Sequence, residues 1–224
     1  MSVLHIISTP IGNLEDITLR GIRILKESIV IAAEDTRTTR KLLNRHQIIN
    51  KVISYNDHNS KKRIPELLGY LDQGNIALVS EAGTPSISDP GSQLIRAVSQ
   101  TAHVISPVPG PRAVTAALSV AGLHSDNWLF IGFIPRKSSQ RKKVLLWANA
   151  HNISLVFFES PHRIVSSLTL LHELLPISDL VICRELTKLY EEIFRGNPRE
   201  ALEHFTKPRG EFTVIVLRGK KKVT

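Results

Sequence analysis

The sequence predicts an α/β fold, and three observations lead to this prediction. Short β-branched runs alternate with amphipathic stretches along the chain, which is typical of βα units. The runs of the first half are almost entirely apolar, which indicates a mostly parallel sheet with helices on both faces. With 42% hydrophobic and 22% charged residues among 224, the composition is that of a globular protein of one or two domains.

Five strands and five helices are predicted to alternate in an N-terminal α/β domain. The strands are expected at Val3–Ser8, Ile29–Ala33, Val52–Ser54, Ile76–Ser80 and His103–Ser106. The helices are expected at Thr18–Glu27, Thr36–His46, Ser60–Asp72, Ser92–Gln100 and Ala113–Ala121. The polar segment Gly122–Asn127 interrupts this pattern, so we place the domain boundary there, between 1–121 and 122–224.

The C-terminal domain is predicted to be a mixed α/β domain. Its strands are expected at Leu129–Phe133, Ser154–Glu159, Asp179–Arg184, Glu191–Arg195 and Phe212–Leu217. Its helices are expected at Ser139–Ala150, His162–Leu174 and Pro198–Phe205. Because one short helix separates the last two strands, we expect an antiparallel pair there. The lysine run 220–222 is expected to fray.

Composition also limits the class of protein. The apolar runs are shorter than the roughly 18 residues that a bilayer span needs, and no basic signal-peptide head precedes them. The lone Cys183 allows no internal disulfide or thiolate cluster, so we expect a cytoplasmic protein. A net charge of +9, with the larger excess in the second half, suggests a polyanionic partner.

Loops that follow strands are where an open α/β sheet binds ligands. The first, Ser8–Leu14, lacks the G-x-G-x-x-G pattern of dinucleotide sites. The second, Ser80–Gly91, is rich in Gly, Pro, Ser and Thr, and its Glu81 and Asp89 are placed to face a cation or a hydroxyl. Alternatively, Asp89 caps a helix that begins at Pro90.

Two further loops carry unusual residues. Ser106–Arg112 is a rigid Pro- and Gly-rich turn that leads into the Ala-rich helix Ala113–Ala121. Phe157–Arg163 ends an apolar strand with a carboxylate, an imidazole and a guanidinium within five residues. A helix start explains Ser160 and Pro161 in that loop but leaves Glu159 and Arg163 free for chemistry.

Eight ordered motifs resemble those of the tetrapyrrole methylase superfamily, and among its members they are most similar to the branch that modifies ribosomal RNA. The motifs cover nearly the whole chain: Ser8–Arg20, Ala33–Leu43, Ser54–Asn59, Ser80–Gly91, Pro109–Leu118, Gly132–Lys137, Phe157–Arg163 and Cys183–Glu192. Members that act on tetrapyrroles typically carry a Gly-rich first loop and a Gly-Asp-Pro triplet after the fourth strand. Ser8-Thr9-Pro10 and Ser80-Glu81-Ala82 stand here instead, which fits the RNA branch.

The resemblance implies a two-domain enzyme that binds S-adenosylmethionine in the cleft between its domains and requires no metal. It implies a homodimer that methylates the ribose 2′-OH of a cytidine in the decoding region of small-subunit ribosomal RNA, with the assembled subunit as the expected partner. On this basis we expect the cofactor to contact residues in four loops: Pro10, Ser80, Glu81, Ala82, Gly83, Ile87, Ser88, Ala113, Val114, Phe158 and Glu159.

Methyl transfer to a 2′-OH requires removal of a proton, for which a carboxylate or imidazole is suited. We expect Glu159, Arg163 and Glu81 at the reaction centre, and two other pairs stay open as candidates, Asp35 with Arg37 and Asp57 with His58. An exposed ion pair is the simpler interpretation of Asp35 and Arg37.

Phosphate binding requires cations, and three basic clusters are candidates. Two lie at 37–45 and 61–63, and the third, which we favour, has five cations in eight residues. The predicted RNA-binding residues are Arg37, Arg136, Lys137, Arg141, Lys142 and Lys143. Aromatic residues make up only 5% of the chain, which argues against a stacking platform of the kind that binds single strands.

Two other classes of protein remain as alternatives. A non-catalytic RNA-binding factor that retains the fold would bind no S-adenosylmethionine. A nicotinamide-dependent oxidoreductase could use Glu34 as a ribose ligand, but the glycine fingerprint that it needs after the first strand is absent.

Overall fold

The computed structural model describes residues 1–123 and 127–217, which form two compact units, 1–112 and 113–224. In the first unit the strands are β1 (Val3–Ile7), β2 (Val30–Ala33), β3 (Val52–Ser54), β4 (Ile76–Val79) and β5 (Val104–Val108). The helices are α1 (Leu19–Glu27), α2 (Thr36–Arg45), α3 (Ser60–Leu71) and α4 (Ser92–Val98), and a short 3-10 helix spans Leu14–Asp16.

The five strands form one sheet in the order β3-β2-β4-β1-β5, and every neighbouring pair is parallel. One face carries Ile7, Ile31 and Val79 and packs against α1 and α2. The other face carries Leu4, Ala32 and Leu78 and packs against α3 and α4. The predicted parallel sheet with helices on both faces is confirmed.

In the second unit the strands are β6 (Trp128–Phe133), β7 (Ser154–Glu159), β8 (Leu180–Arg184), β9 (Glu192–Gly196) and β10 (Phe212–Val216). The helices are α5 (Ala113–Ala121), α6 (Ser138–Ala150), α7 (Ile164–Leu174) and α8 (Pro198–His204). Helices α6, α7 and α8 cover one face of the sheet and α5 covers the other.

This second sheet is mixed, with the order β6-β7-β10-β8-β9. The last strand, β10, lies between β7 and β8 and is antiparallel to both. The expected antiparallel partner of β9 is therefore corrected: β9 pairs with β8, which precedes it, and not with β10. Helix α8 connects β9 to β10 across β8, so these two consecutive strands are not neighbours in the sheet.

Helix α5 groups with the second unit, because Val114, Ala117 and Ala121 pack on Val156 and Ile215 of its sheet. The boundary between the two units, at 112/113, thus falls nine residues before the domain boundary that we placed at 121/122. Part of the segment 122–127 and the lysine run 220–222, which we expected to fray, lie outside the described residues. None of the helices in residues 1–123 and 127–217 is long and apolar enough to cross a membrane.

Candidate functional site

The loops after β1 and β4 diverge to opposite faces of the first sheet. The chain leaves β1 towards α1 on one face and leaves the neighbouring β4 towards α4 on the other. Such a divergence opens a crevice beyond the carboxyl ends of the strands, where open α/β sheets bind their ligands. The richest loop of the sequence, Ser80–Gly91, therefore begins at this crevice.

Hydrogen bonds tie these two loops together. Thr9 and Gly83 form an isolated antiparallel bridge, with the two N–H···O distances at 2.9 and 3.0 Å. The Thr9 hydroxyl donates to the Ser80 carbonyl (3.2 Å), and the Ser8 and Thr84 hydroxyls lie 2.9 Å apart. Ser8, Thr9 and Ser80 are all buried. The polar residues at the start of both loops thus fix the backbone of the crevice.

Two glycines allow the second loop to turn. Gly83 has φ +83° and Gly91 has φ +151°, in a region that residues with a Cβ rarely adopt. A Cβ on Gly91 would also lie only 3.2 Å from the backbone nitrogen of Ser86. Gly91 is the N-cap residue of α4, which begins at Ser92. The alternative in which Asp89 caps this helix is therefore wrong, and its carboxylate is available for another interaction.

Two carboxylates that follow β2 and β4, those of Glu34 and Glu81, act on a third, that of Asp89, at this crevice. A Glu34 oxygen accepts the Glu81 backbone N–H at 3.1 Å. Burial raises the pKa of Asp89 to about 6, the negative charges of Glu34 and Glu81 act in the same direction, and Arg112 opposes them. Nowhere in the described chain are three or more His, Cys, Asp or Glu side chains arranged to hold a metal ion.

The other predicted cofactor residues fall into two groups. Pro10 of the first loop and Gly83 of the second are buried in the crevice. Four other residues of the second loop are exposed: Glu81, Ala82, Ile87 and Ser88. The second group belongs to the other unit, where Val114 packs under the sheet and the Phe158 ring contacts Phe130 and Phe133. Their contact with a cofactor stays a prediction, as does that of Ala113.

Glu159 lies inside the second unit with its side chain fully buried. One carboxylate oxygen accepts the Ser160 backbone N–H (2.9 Å) and the other accepts the Ser167 hydroxyl (2.6 Å). Arg163 approaches the second oxygen at 3.5 Å and donates to the carbonyls of Ile134 and Pro135 at 2.9 and 3.0 Å. These contacts are those of a structural pair that holds the turn after β6.

The structure contradicts the prediction of RNA binding for Arg141. This residue is 8% exposed, and its guanidinium donates to the hydroxyls of Ser166 and Ser167 at 2.8 and 3.0 Å. The spacing of Arg141, Leu145 and Ala148 places all three on the buried face of α6, a signal that the sequence already contained. The other members of the cluster are exposed: Arg136, Lys137, Lys142 and Lys143.

Of the two open catalytic pairs, Asp35 with Arg37 has an ordinary structural function. Asp35 is the N-cap residue of α2 and accepts from the backbone N–H groups of Arg37 and Thr38. Hydrogen bonds from the side chain and backbone of Arg37 hold the pKa of Asp35 at about 2, and the Arg37 side chain is 87% exposed. In the other pair, only the backbone carbonyl of Asp57 has a structural contact, accepting the Ser60 hydroxyl; the side chains of Asp57 and His58 are exposed, and a catalytic function for them stays a prediction.

Comparison with known proteins shows which family the chain belongs to. A family model described as Tetrapyrrole (Corrin/Porphyrin) Methylases matches residues 3–202. The chain belongs to the tetrapyrrole methylase family. Its fold agrees with that of two solved structures, the methyltransferase CobJ (TM-score 0.73, 18% identity, 98% of this chain and 95% of that chain) and diphthine synthase (TM-score 0.74, 14% identity, 97% and 90%).

Curated members of the tetrapyrrole methylase family are more similar in sequence. A protein of Thermotoga maritima named Ribosomal RNA small subunit methyltransferase I is 46% identical over 99% of this chain and 100% of its own length. Proteins of the same name from Halalkalibacterium halodurans and Synechocystis are 44% and 43% identical. They match 98% and 96% of this chain, which covers 77% and 79% of their lengths.

In this tetrapyrrole methylase, the sequence alone does not identify the Asp89 carboxylate as a catalytic candidate. Asp89 was singled out as a residue of the second loop, but its Asp-Pro context is so typical of helix starts that the cap remained an equal alternative. The start of α4 at Ser92, with Gly91 and not Asp89 as its N-cap residue, decides the question. Asp89 therefore joins Glu81 among the candidate catalytic residues.

Proposed function

We propose that the protein transfers the methyl group of S-adenosylmethionine to the 2′-OH of a cytidine ribose in the decoding region of small-subunit ribosomal RNA. The observation that carries this proposal is the similarity to relatives named Ribosomal RNA small subunit methyltransferase I, at 38–46% identity over nearly the whole chain. As the resemblance implies, we also propose that it acts in the cytoplasm, as a homodimer, on the assembled subunit.

The crevice of the first unit suits the charge of the cofactor. S-adenosylmethionine carries a positive sulfonium and a positive ammonium group, and Glu34, Glu81 and Asp89 place negative charge at the carboxyl ends of β2 and β4. When bound, the cofactor supplies an electrophilic methyl group. We propose that the loops of Pro10 and of Ser80–Ser88 hold it, because their bridged backbone is fixed beforehand.

The proton of the 2′-OH needs an acceptor, and the second loop offers one. A general base works best when its pKa lies near the working pH. The pKa of Asp89, raised to about 6 by burial and by Glu34 and Glu81, meets this requirement. We propose that Asp89 accepts the proton and that Glu81, at the exposed start of the loop, orients the ribose.

Glu159 and Arg163 receive a different function in this proposal. Both oxygens of Glu159 already accept hydrogen bonds from neighbours in its own unit. Arg163 donates to two backbone carbonyls of the turn at 134–135. We propose that they act as positioning residues, while direct participation in proton transfer, our first expectation, stays a prediction to be tested by Glu159→Gln.

Mapping ribose methylation of small-subunit RNA tests the proposal directly. Cells that lack the protein should lose one 2′-O-methyl group on a decoding-region cytidine, and expression of the protein should restore it. An unchanged map would contradict the proposed activity. The alternative, an RNA-binding factor without catalysis, predicts that calorimetry detects no binding of S-adenosylmethionine.

A further inference from the structure

The ring of Phe133 packs against a neighbouring ring of the second sheet although 60% of the residue is exposed. A β-bulge precedes it: Phe130 pairs with Val156 and Phe133 pairs with Phe158, so three steps along β6 match two along β7. Gly132 takes φ +68° at this bulge. As a result, the rings of Phe130 and Phe133 both contact Phe158 edge-on, with centroids 5.0 and 5.6 Å away.

The turn that follows Phe133 is anchored from two directions. The Ile134 N–H donates to the Phe158 carbonyl at 3.2 Å. Arg163 donates to the carbonyls of Ile134 and Pro135, and Arg163 itself lies 3.5 Å from the buried carboxylate of Glu159. The exposed residues Arg136 and Lys137 come directly after this anchored turn. Ring and cations thus share one rigid support.

The charged residues near Phe133 in the sequence are all positive. No Asp or Glu occurs from residue 127 to residue 158, a stretch that holds five Lys or Arg. Several exposed arginines elsewhere pair with a carboxylate on their own helix, as Arg23 does with Glu27 and Arg199 with Glu203. Within residues 1–123 and 127–217, the side chains of Arg136 and Lys137 form no such pair, so their charges are available to an anion.

We propose that Phe133, Arg136 and Lys137 form an RNA contact in which the phenyl ring stacks on an unpaired base and the two cations bind the adjoining phosphates. This inference rests on the proposed function and deepens it by assigning a single base contact, which departs from our expectation, based on the low aromatic content, that the chain has no stacking platform. Aromatic side chains recognise single-stranded RNA by stacking, and cations track its backbone. A second copy of the chain fits this surface less well, because a two-fold contact would bring the same unpaired cations together.

The test compares two probes that differ only in their bases. One is a fluorescein-labelled single-stranded RNA of decoding-region sequence, and the other is the same sugar–phosphate chain with abasic positions. Fluorescence anisotropy would measure the affinity of the full chain for both. Phe133→Ala should weaken binding of the base-containing RNA by about 5- to 100-fold, leaving the abasic probe and the salt dependence unchanged.

Matched variants separate stacking from charge and from general damage. Phe133→Trp should retain affinity. Tyr190→Ala removes another exposed aromatic, 69% exposed, and should bind both probes as the wild type does. Arg136→Ala combined with Lys137→Ala should weaken both probes and reduce the salt slope, by about 0.7 for each lost phosphate contact.

Several outcomes would overturn the inference. An unchanged RNA affinity in Phe133→Ala would refute the base contact, and a lack of RNA binding by the wild type would refute the whole RNA contact. The proposed substrate, the assembled subunit, is tested separately by mapping ribose methylation. Equal weakening of both probes by Phe133→Ala would indicate damage to the turn instead of lost stacking. A loss of S-adenosylmethionine affinity or of self-association, with RNA binding intact, would assign the ring to the cofactor or to a second copy.

Discussion

Replacing Asp89 with Asn should change the stability of the protein in a pH-dependent way. The ordinary pKa of the carboxyl is 3.8, and burial together with Glu34 and Glu81 raises it to about 6. Between these two values the folded protein binds more protons at this site than the unfolded chain does. The stability of the wild type therefore falls as the pH rises through this window, and the variant lacks this loss.

The magnitude follows from the same pKa. A rise from 3.8 to about 6 corresponds to a protonation preference of about 3 kcal/mol. Because water reaches part of the carboxyl, we reduce this figure to about 1–2 kcal/mol. The stability of Asp89→Asn relative to the wild type should thus increase by that amount from about pH 4 to about pH 7.

Urea unfolding followed by circular dichroism at both pH values measures this difference. Asp57→Asn, at an exposed position in the same unit, is the matched control and should show little change between them. Carbon-detected NMR of the wild-type carboxyl gives the pKa independently, and Glu81→Gln should lower it. A pKa near 3.8, or a stability difference that is the same at both pH values, would refute our account of the crevice and with it the proposed base.

Four further predictions concern the cofactor loop, the exposed cations, the buried Arg141 and the buried Glu159. Gly83→Val forces a β-branched residue into a positive φ and should weaken S-adenosylmethionine binding in calorimetry. Gly122→Val, also at positive φ but with open space around it, is the control and should bind the cofactor as the wild type does. Equal cofactor affinities of Gly83→Val and the wild type would exclude the second loop from the cofactor site. Neutralising the four exposed cations of the third cluster should weaken RNA binding and flatten its salt dependence, whereas Arg141→Ala should destabilise the fold by about 1–3 kcal/mol because it removes a buried guanidinium that donates hydrogen bonds to Ser166 and Ser167. Glu159→Gln should lower RNA affinity and stability if it positions the turn, while a drop of about 10²–10⁴-fold in single-turnover rate with cofactor affinity unchanged would identify it as the base.

The first unit could be predicted closely from the sequence, and the pairing of the second could not. Strands such as Ile76–Val79 are buried on both faces and end at Gly, Pro or polar residues, so the local sequence is enough to predict where they begin and end. The insertion of β10 between β7 and β8 depends on contacts between residues far apart in the chain. Local patterns indicate that a strand exists but not which neighbour it takes.

The candidate site shows the same division. The loop Ser80–Gly91 was identifiable because few of its residues suit a core, and the structure places it at the crevice. Arg141 was misjudged because a basic run looks exposed until the helix face is considered. The exposure of Phe133 depends on a bulge at Gly132, and periodicity alone does not reveal a bulge.

Methyl transfer to a defined ribose tests the central claim most directly. Purified protein would be incubated with methyl-labelled S-adenosylmethionine and small ribosomal subunits from cells that lack it, and the labelled nucleotide would be mapped. Our account predicts label on the 2′-oxygen of one decoding-region cytidine, and no label when that cytidine is replaced by 2′-deoxycytidine in reconstituted subunits. Label on a base, or transfer that persists to the deoxy substrate, would contradict the account.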